Sequence, residues 1–248
     1  MLDSGSRDRT REIALSSGAR VLVRPFDDYA SQRNFGLSQI EYRNPWVLML
    51  DADERVPPEL RTEIELRVAG AGPQVGLFRV RRRDFLYDTW IRGSGGYPTW
   101  FPRLARVGRV RVERSVNEEY HTDGTVEALD RHLHHYPFSK GLDRWIGRHN
   151  LYSTMEANLM ADRAREPLGA VLRRLVTADP VRRRKAVKTL VYRVPGRPLL
   201  VFFALYIVRR GFMEGRAGFT FAMLRAWYEF LIDCKRREVV RGGGGTGS

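Results

Sequence analysis

Cysteine is nearly absent. Cys234 is the only one in 248 residues, which excludes a disulfide framework and a cysteine-built zinc site within the chain. Long apolar runs are also lacking: the longest, Leu199 to Val208, spans ten residues and ends at Arg209-Arg210, where about 20 are needed to cross a bilayer. Met1 leads into Asp3-Ser4-Gly5-Ser6 rather than a basic and then apolar stretch, so no secretory leader is expected. Acidic residues are in deficit, 29 Asp+Glu against 43 Lys+Arg, for a net charge of +14. Such a balance favours a polyanionic partner: nucleic acid, an anionic membrane surface or a phosphorylated substrate. At 43% hydrophobic and 29% charged residues the chain is neither disordered nor collagen-like. Its length suits one sizeable domain, alone or with an appendage.

What is present begins with strands and helices in alternation. Asp8 to Ser17 predicts a helix, with Ser6 or Asp8 as its cap and Gly18 as its end. Val21-Leu22-Val23 reads as a strand and Tyr29 to Ile40 as a second helix. Trp46 to Leu50 is apolar without alternation, as in a strand buried on both faces. Pro57-Pro58 opens a helix to about Ala69, and Val75 to Val80 forms the next strand. Strands separated by helices predict a mostly parallel α/β sheet flanked by helices. The pattern loosens from Arg81 to His135, and a helical region follows from Ser139. The expected organisation is a sheet domain over 1–140, a basic and apolar helical extension over 141–241, and a glycine-rich tail over 242–248.

Asp51-Ala52-Asp53 follows directly on the buried strand, where the ligands of open α/β sheets bind. Two carboxylates two positions apart suit one Mg²⁺ or Mn²⁺ that keeps positions open for diphosphate oxygens. The other reading is Asp53 as a cap of the helix that starts near Pro57, and the strand context favours the site. Asp3-Ser4-Gly5-Ser6 lies ahead of a helix start, where backbone N–H groups meet an anion or simply a capped helix. Glu118 and Glu119 offer paired carboxylates, either a general base for a sugar hydroxyl or exposed glutamates. His132, His134 and His135 cluster without the further ligands that a zinc site needs.

Four segments together resemble the family 2 glycosyltransferases, inverting enzymes of GT-A fold, in the branch of bacterial lipopolysaccharide-core and exopolysaccharide sugar transferases. They are Asp3 to Thr10, Tyr29-Ala30-Ser31-Gln32-Arg33-Asn34, Leu50-Asp51-Ala52-Asp53-Glu54, and Val116-Asn117-Glu118 with His135 to Gly141. The resemblance implies transfer of a sugar from a nucleoside-diphosphate donor to a glycan or lipid-linked acceptor in cell-envelope polysaccharide synthesis. It gives Asp3, Ser4 and Gly5 to the nucleotide, with Asp3 at the base or ribose. It gives Asp51 to the nucleotide or metal, Asp53 to a divalent cation (Mg²⁺ or Mn²⁺) bridging the diphosphate, and Glu118 or Glu119 to the acceptor as base. His135 would approach the diphosphate or the metal.

The family begins with an apolar strand and a loop rich in Pro, Asn and Glu ahead of the Asp-Ser-Gly-Ser segment. Here Met1-Leu2 stands there instead, so a chain truncated in its first strand is expected, and an inactive homologue or partner subunit is the alternative. The surplus cations beyond residue 140 flank aromatic helical segments, which points to peripheral attachment of a cytoplasmic protein to the anionic inner face of the cell membrane. Packing of those helices within the protein is the other reading. A nucleic-acid-binding role for Arg182-Arg183-Arg184-Lys185 lacks any recognised motif, and no nucleic-acid partner is expected.

Overall fold

The computed structural model describes residues 1–113, 118–164, 166–177, 179–191, 193–194 and 196–242. Val116, Asn117 and the tail beyond Gly242 therefore lie outside the described residues. The chain forms two compact units, one of residues 1–82 and 99–133, the other of 83–98 and 134–248.

In the first unit β1 (Leu2–Asp3) precedes α1 (Thr10–Ser16), β2 (Leu22–Val23) and α2 (Tyr29–Ser38). Then come β3 (Trp46–Leu48), β4 (Glu54–Arg55), α3 (Pro58–Gly70) and β5 (Val75–Leu86), whose last residues enter the second unit. After β6 (Thr89–Trp90) in the second unit follow β7 (Thr99–Arg106), β8 (Val110–Glu113), β9 (Glu119–Thr122) and β10 (Thr125–His135). The local reasons follow the sequence. Asp28 caps α2 by accepting from the Ser31 N–H at 3.0 Å. Pro57 and Pro58 open α3, with Glu59 in its first turn and Arg67 in its last. For α1 the cap position is Arg9 rather than Ser6 or Asp8, although the Asp8 carboxylate accepts from the Thr10 N–H at 3.1 Å.

The main sheet runs in the order β3-β7-β5-β10-β4. Its strands send alternate residues to two apolar clusters, as a sheet covered on both faces must. Trp46, Phe78, Val80 and Leu104 meet Leu60 and Ile64 of α3, whereas Val47, Leu77 and Ala105 meet Ala30 and Leu37 of α2. The α/β class is as expected, but the mostly parallel direction is corrected. β1 pairs in parallel with β2, whereas β3–β7, β5–β7, β5–β6 and β8–β9 are all antiparallel. The cause lies in the segment that reads as loose. β5 continues six residues past Val80 because its arginines lie over aromatic faces: Arg79 over Trp100 at 4.9 Å and Arg82 over Phe101 at 3.9 Å. The Leu2–Asp3 strand is two residues long and pairs in parallel with Leu22 and Val23.

The second unit is mainly helical: α4 (Leu142–Ala164), α5 (Leu168–Leu175), α6 (Pro180–Val191), α7 (Arg197–Phe203) and α8 (Gly215–Gly242). A π turn (Ala204–Val208) and a 3₁₀ turn (Gly211–Glu214) connect α7 to α8. Phe202 and Tyr206 meet Phe219 edge-on at 5.9 and 5.6 Å, joining the two helices through rings.

Candidate active site

Three consecutive residues of α2 tie the first unit together, since successive helical positions point about 100° apart. The Gln32 side chain donates to Ser4 Oγ at 3.0 Å and accepts from Arg24 at 2.6 Å. The Asn34 amide donates to Val112 O at 2.7 Å and accepts from Val112 N at 2.8 Å, acting as a short extra strand against β8. Arg33, between them, donates to Asp51 Oδ1 and lies 3.5 Å from Glu118 Oε1.

Asp51 to Glu54 form a tight turn at the exit of β3, where the Glu54 N–H donates to Asp51 O at 3.0 Å and the Asp51 N–H donates to Glu54 Oε2 at 3.0 Å. Arg103, buried on β7, fills the space beneath. Its Nε and Nη2 grip Glu54 in a fork at 2.9 and 2.8 Å, and Nη2 also reaches Asp51 Oδ2 at 2.7 Å. Arg82 Nη1 stands 3.7 Å from Glu54. Burial acts to discharge Arg33 and Arg103, but the surrounding carboxylates outweigh it and raise both guanidinium pKa values. Tyr120 donates to Glu118 Oε2 at 2.8 Å, and its phenol is raised above the ordinary range, by burial first.

Asp51 and Glu118 are thus brought together through one guanidinium. Glu118 is half-buried, while Glu119 is exposed on β9 opposite Glu113. Asp3 is buried, and its carboxylate accepts from the N–H groups of Gly5 and Ser6, both at 3.0 Å, and from Ser6 Oγ, which lowers its pKa. Gly5 sits at φ +90°, a conformation that strains any L side chain. Asp53 is half-buried in the turn. His135 belongs to the second unit, where its Nδ1 meets Asp84 at 2.6 Å.

Among the described residues no three His, Cys, Asp or Glu side chains come together as a metal cage. Both oxygens of Asp51 are held by arginines. A Mg²⁺-like ion takes most of its ligands from phosphates and water and needs only one or two carboxylates, so the hard oxygens of Asp53 suit an ion carried by a diphosphate. Arg33 and Arg103 were missed as site residues by sequence reasoning. For Arg103 the available signal was a cation set between Phe101-Pro102 and Leu104-Ala105 within a strand.

Residues 1–115 match the sequence profile described as "Glycosyl transferase family 2". A lipopolysaccharide core biosynthesis glycosyltransferase, LpsC, of Rhizobium meliloti (strain 1021) is 28% identical over 244 residues, covering 95% of this chain and 80% of that protein. An uncharacterized glycosyltransferase of Rickettsia bellii (strain RML369-C) is 25% identical over 250 residues, 96% of this chain and 76% of the relative. Another, of Rickettsia felis (strain ATCC VR-1525 / URRWXCal2), is 26% identical over 249 residues, 96% and 79%. By this match and these relatives, the chain is a glycosyltransferase whose first 115 residues match the family 2 profile.

Proposed function

We propose that the protein moves a sugar from a nucleoside-diphosphate donor, with inversion, to a glycan or lipid-linked acceptor presented at the cytoplasmic face of the cell envelope. The name of the LpsC relative supports an acceptor in lipopolysaccharide core assembly. The observation that carries the reading is Arg33, which links the carboxylate at the exit of β3 to Glu118 in one half-buried cluster.

In this reading Ser4 and Gly5 line the nucleotide loop. Asp3 shapes that loop, because its oxygens are already occupied by Gly5 and Ser6. Arg33 and Arg103 fix Asp51 from two sides, so its carboxylate faces the nucleotide from an invariant position. Glu118, oriented by Tyr120 and Arg33, takes the proton from the acceptor hydroxyl as that oxygen attacks the anomeric carbon. The transition state carries oxocarbenium character at the sugar, and negative charge gathers on the departing diphosphate. A divalent cation held by Asp53 would supply Lewis-acid neutralisation of that diphosphate.

Titration of the full chain with nucleoside-diphosphate sugars and Mn²⁺, followed by transfer assays, tests the proposal. Glu118→Gln is expected to keep donor affinity while transfer falls by about 10²–10⁴-fold. Absence of binding by every donor tried would overturn the nucleotide-sugar reading. Unchanged transfer in Glu118→Gln would remove Glu118 as the base.

A further inference from the structure

The segment from Pro180 to Met213 holds nine Lys and Arg and not one Asp or Glu. Within it, α7 and the π turn expose apolar side chains rather than covering them. Leu199, Leu200, Phe203 and Val208 are 75, 55, 56 and 69% exposed, and Phe212 and Met213 in the 3₁₀ turn are 49 and 71% exposed. Leu199, Leu200, Phe203 and Val208 share one side of the rod, and Phe212 and Met213 follow the left-handed Arg210 (φ +59°) at which the rod ends. Its other side is committed: Arg197 is buried against Glu229 and Asp233, while Phe202 and Tyr206 contact Phe219. On α8, Phe219 and Met223 are each 47% exposed as well.

The charge around this surface is of one sign. Arg209, Arg210 and Arg216 are exposed beside it. The nearest acid in sequence, Glu214, is turned inward, its carboxylate accepting from the Gly93 N–H and Ser94 Oγ. An apolar patch collared by arginines and cleared of carboxylates complements a surface that is apolar beneath and anionic above. A partner helix or a second copy of this chain would need the apolar match without the collar. Length separates lying from crossing. Arg197 to Val208 is about 18 Å of helix at 1.5 Å per residue, against a hydrocarbon core of about 30 Å, and no described helix is long and apolar enough to cross a membrane.

We infer that the α7, π-turn and 3₁₀-turn segment is a membrane wedge. Phe203, Val208, Phe212 and Met213 enter the acyl boundary of an anionic bilayer, while Arg209, Arg210 and Arg216 bind lipid phosphates. The inference concerns the membrane invoked by the proposed function, but it rests on the surface of the second unit alone. Its assay contains no sugar donor, so its failure and that of the transfer reading are separable.

The full chain is mixed with vesicles of phosphatidylcholine alone, or with about 30% phosphatidylglycerol, at low salt, and sedimented. Binding is expected on the anionic vesicles and much less on the neutral ones, and it should weaken when salt is raised to about 0.5 M. Phe203→Glu with Met213→Glu should lower the partition coefficient by at least about tenfold, as should Arg210→Glu with Arg216→Glu, with helicity unchanged by circular dichroism. Met213→Trp, a substitution at an exposed site, should shift its emission to the blue and be quenched by brominated lipid. No sedimentation on anionic vesicles, unaltered binding in both double variants, or an unshifted Trp signal would each overturn the wedge. So would a dimer that the two Glu substitutions dissolve in a chain that ignores vesicles.

Discussion

Each unit buries an arginine between two carboxylates, and the difference that matters between the two arrangements is the exposure of the second carboxylate. In the second unit Arg197 reaches Glu229 and Asp233, both at 3.1 Å, and the side chains are 3, 10 and 14% exposed. In the first, Arg103 grips Glu54 and Asp51 at 2.8 and 2.7 Å, but the Asp51 side chain is 38% exposed. The Arg197 set is closed to solvent: Arg225 and Arg236 stand 3.7 and 4.0 Å from its carboxylates, but neither carboxylate is exposed. The Arg103 set opens outward through Asp51 to Arg33 and Glu118. A buried guanidinium therefore holds helices in one place and a reactive turn in the other, and the exposure of its second carboxylate distinguishes the two uses.

The largest expected effect tests the likeness between the two. Arg103→Met and Arg197→Met each leave a buried carboxylate without its partner, at a cost of about 3–5 kcal/mol. Urea unfolding should show comparable losses. Sugar transfer per folded molecule should vanish in Arg103→Met and stay within about twofold of the parent in Arg197→Met. Loss of transfer in both would break the distinction between closed and open sets.

A smaller effect tests the difference. Asp51→Asn keeps the shape of the turn and removes a charge that solvent already screens in part, so its stability cost should be about 1 kcal/mol. Transfer should nevertheless fall by about 10²-fold or more, because a partly exposed negative charge of the turn, facing the donor, is lost. Asp233→Asn should do the reverse, with a stability loss of about 1–3 kcal/mol and unchanged kcat/KM. Donor titrations beside urea curves on the same two variants separate the outcomes.

The parts of the fold that sequence reveals are those set by local chemistry. α2 begins at Tyr29 behind its Asp28 cap, α3 begins behind Pro57, and β3 emerges from an apolar run with Asp51 at its exit. Strand direction was not legible, because it depends on partners far apart in sequence, such as Leu77 opposite Ala105. The extension of β5 was hidden for a related reason: an arginine run reads as solvated until Trp100 and Phe101 arrive beneath it. At the site, the carboxylates were readable from their position after a strand. The arginines that set their charge were not, since Arg103 lies 52 residues from Asp51 and only the sheet makes them neighbours.

The smallest expected effect asks whether the second unit holds its ionisable groups as quietly as the closed Arg197 set implies. His149 stacks on Trp145 with ring centres 3.5 Å apart, meets the edge of Tyr228, and donates from Nδ1 to Trp145 O at 2.9 Å. Burial is the main cause that pushes its pKa down to about 4, with Arg148 and Arg225 adding to it against the Trp145 carbonyl. In the unfolded chain it returns to about 6.5. Between those values the unfolded state binds the extra proton, so the neutral imidazole's stabilisation is whole above about pH 6.5 and drains away as pH falls toward 4. With allowance for partial solvent access, that loss is on the order of 1–2 kcal/mol. His149→Phe keeps the stack and cannot bind a proton. Its thermal midpoint should therefore fall less than the parent's between pH 6.5 and 4, and equal slopes would mean that the imidazole is protonated in place and that α4 and α8 do not exclude water from it.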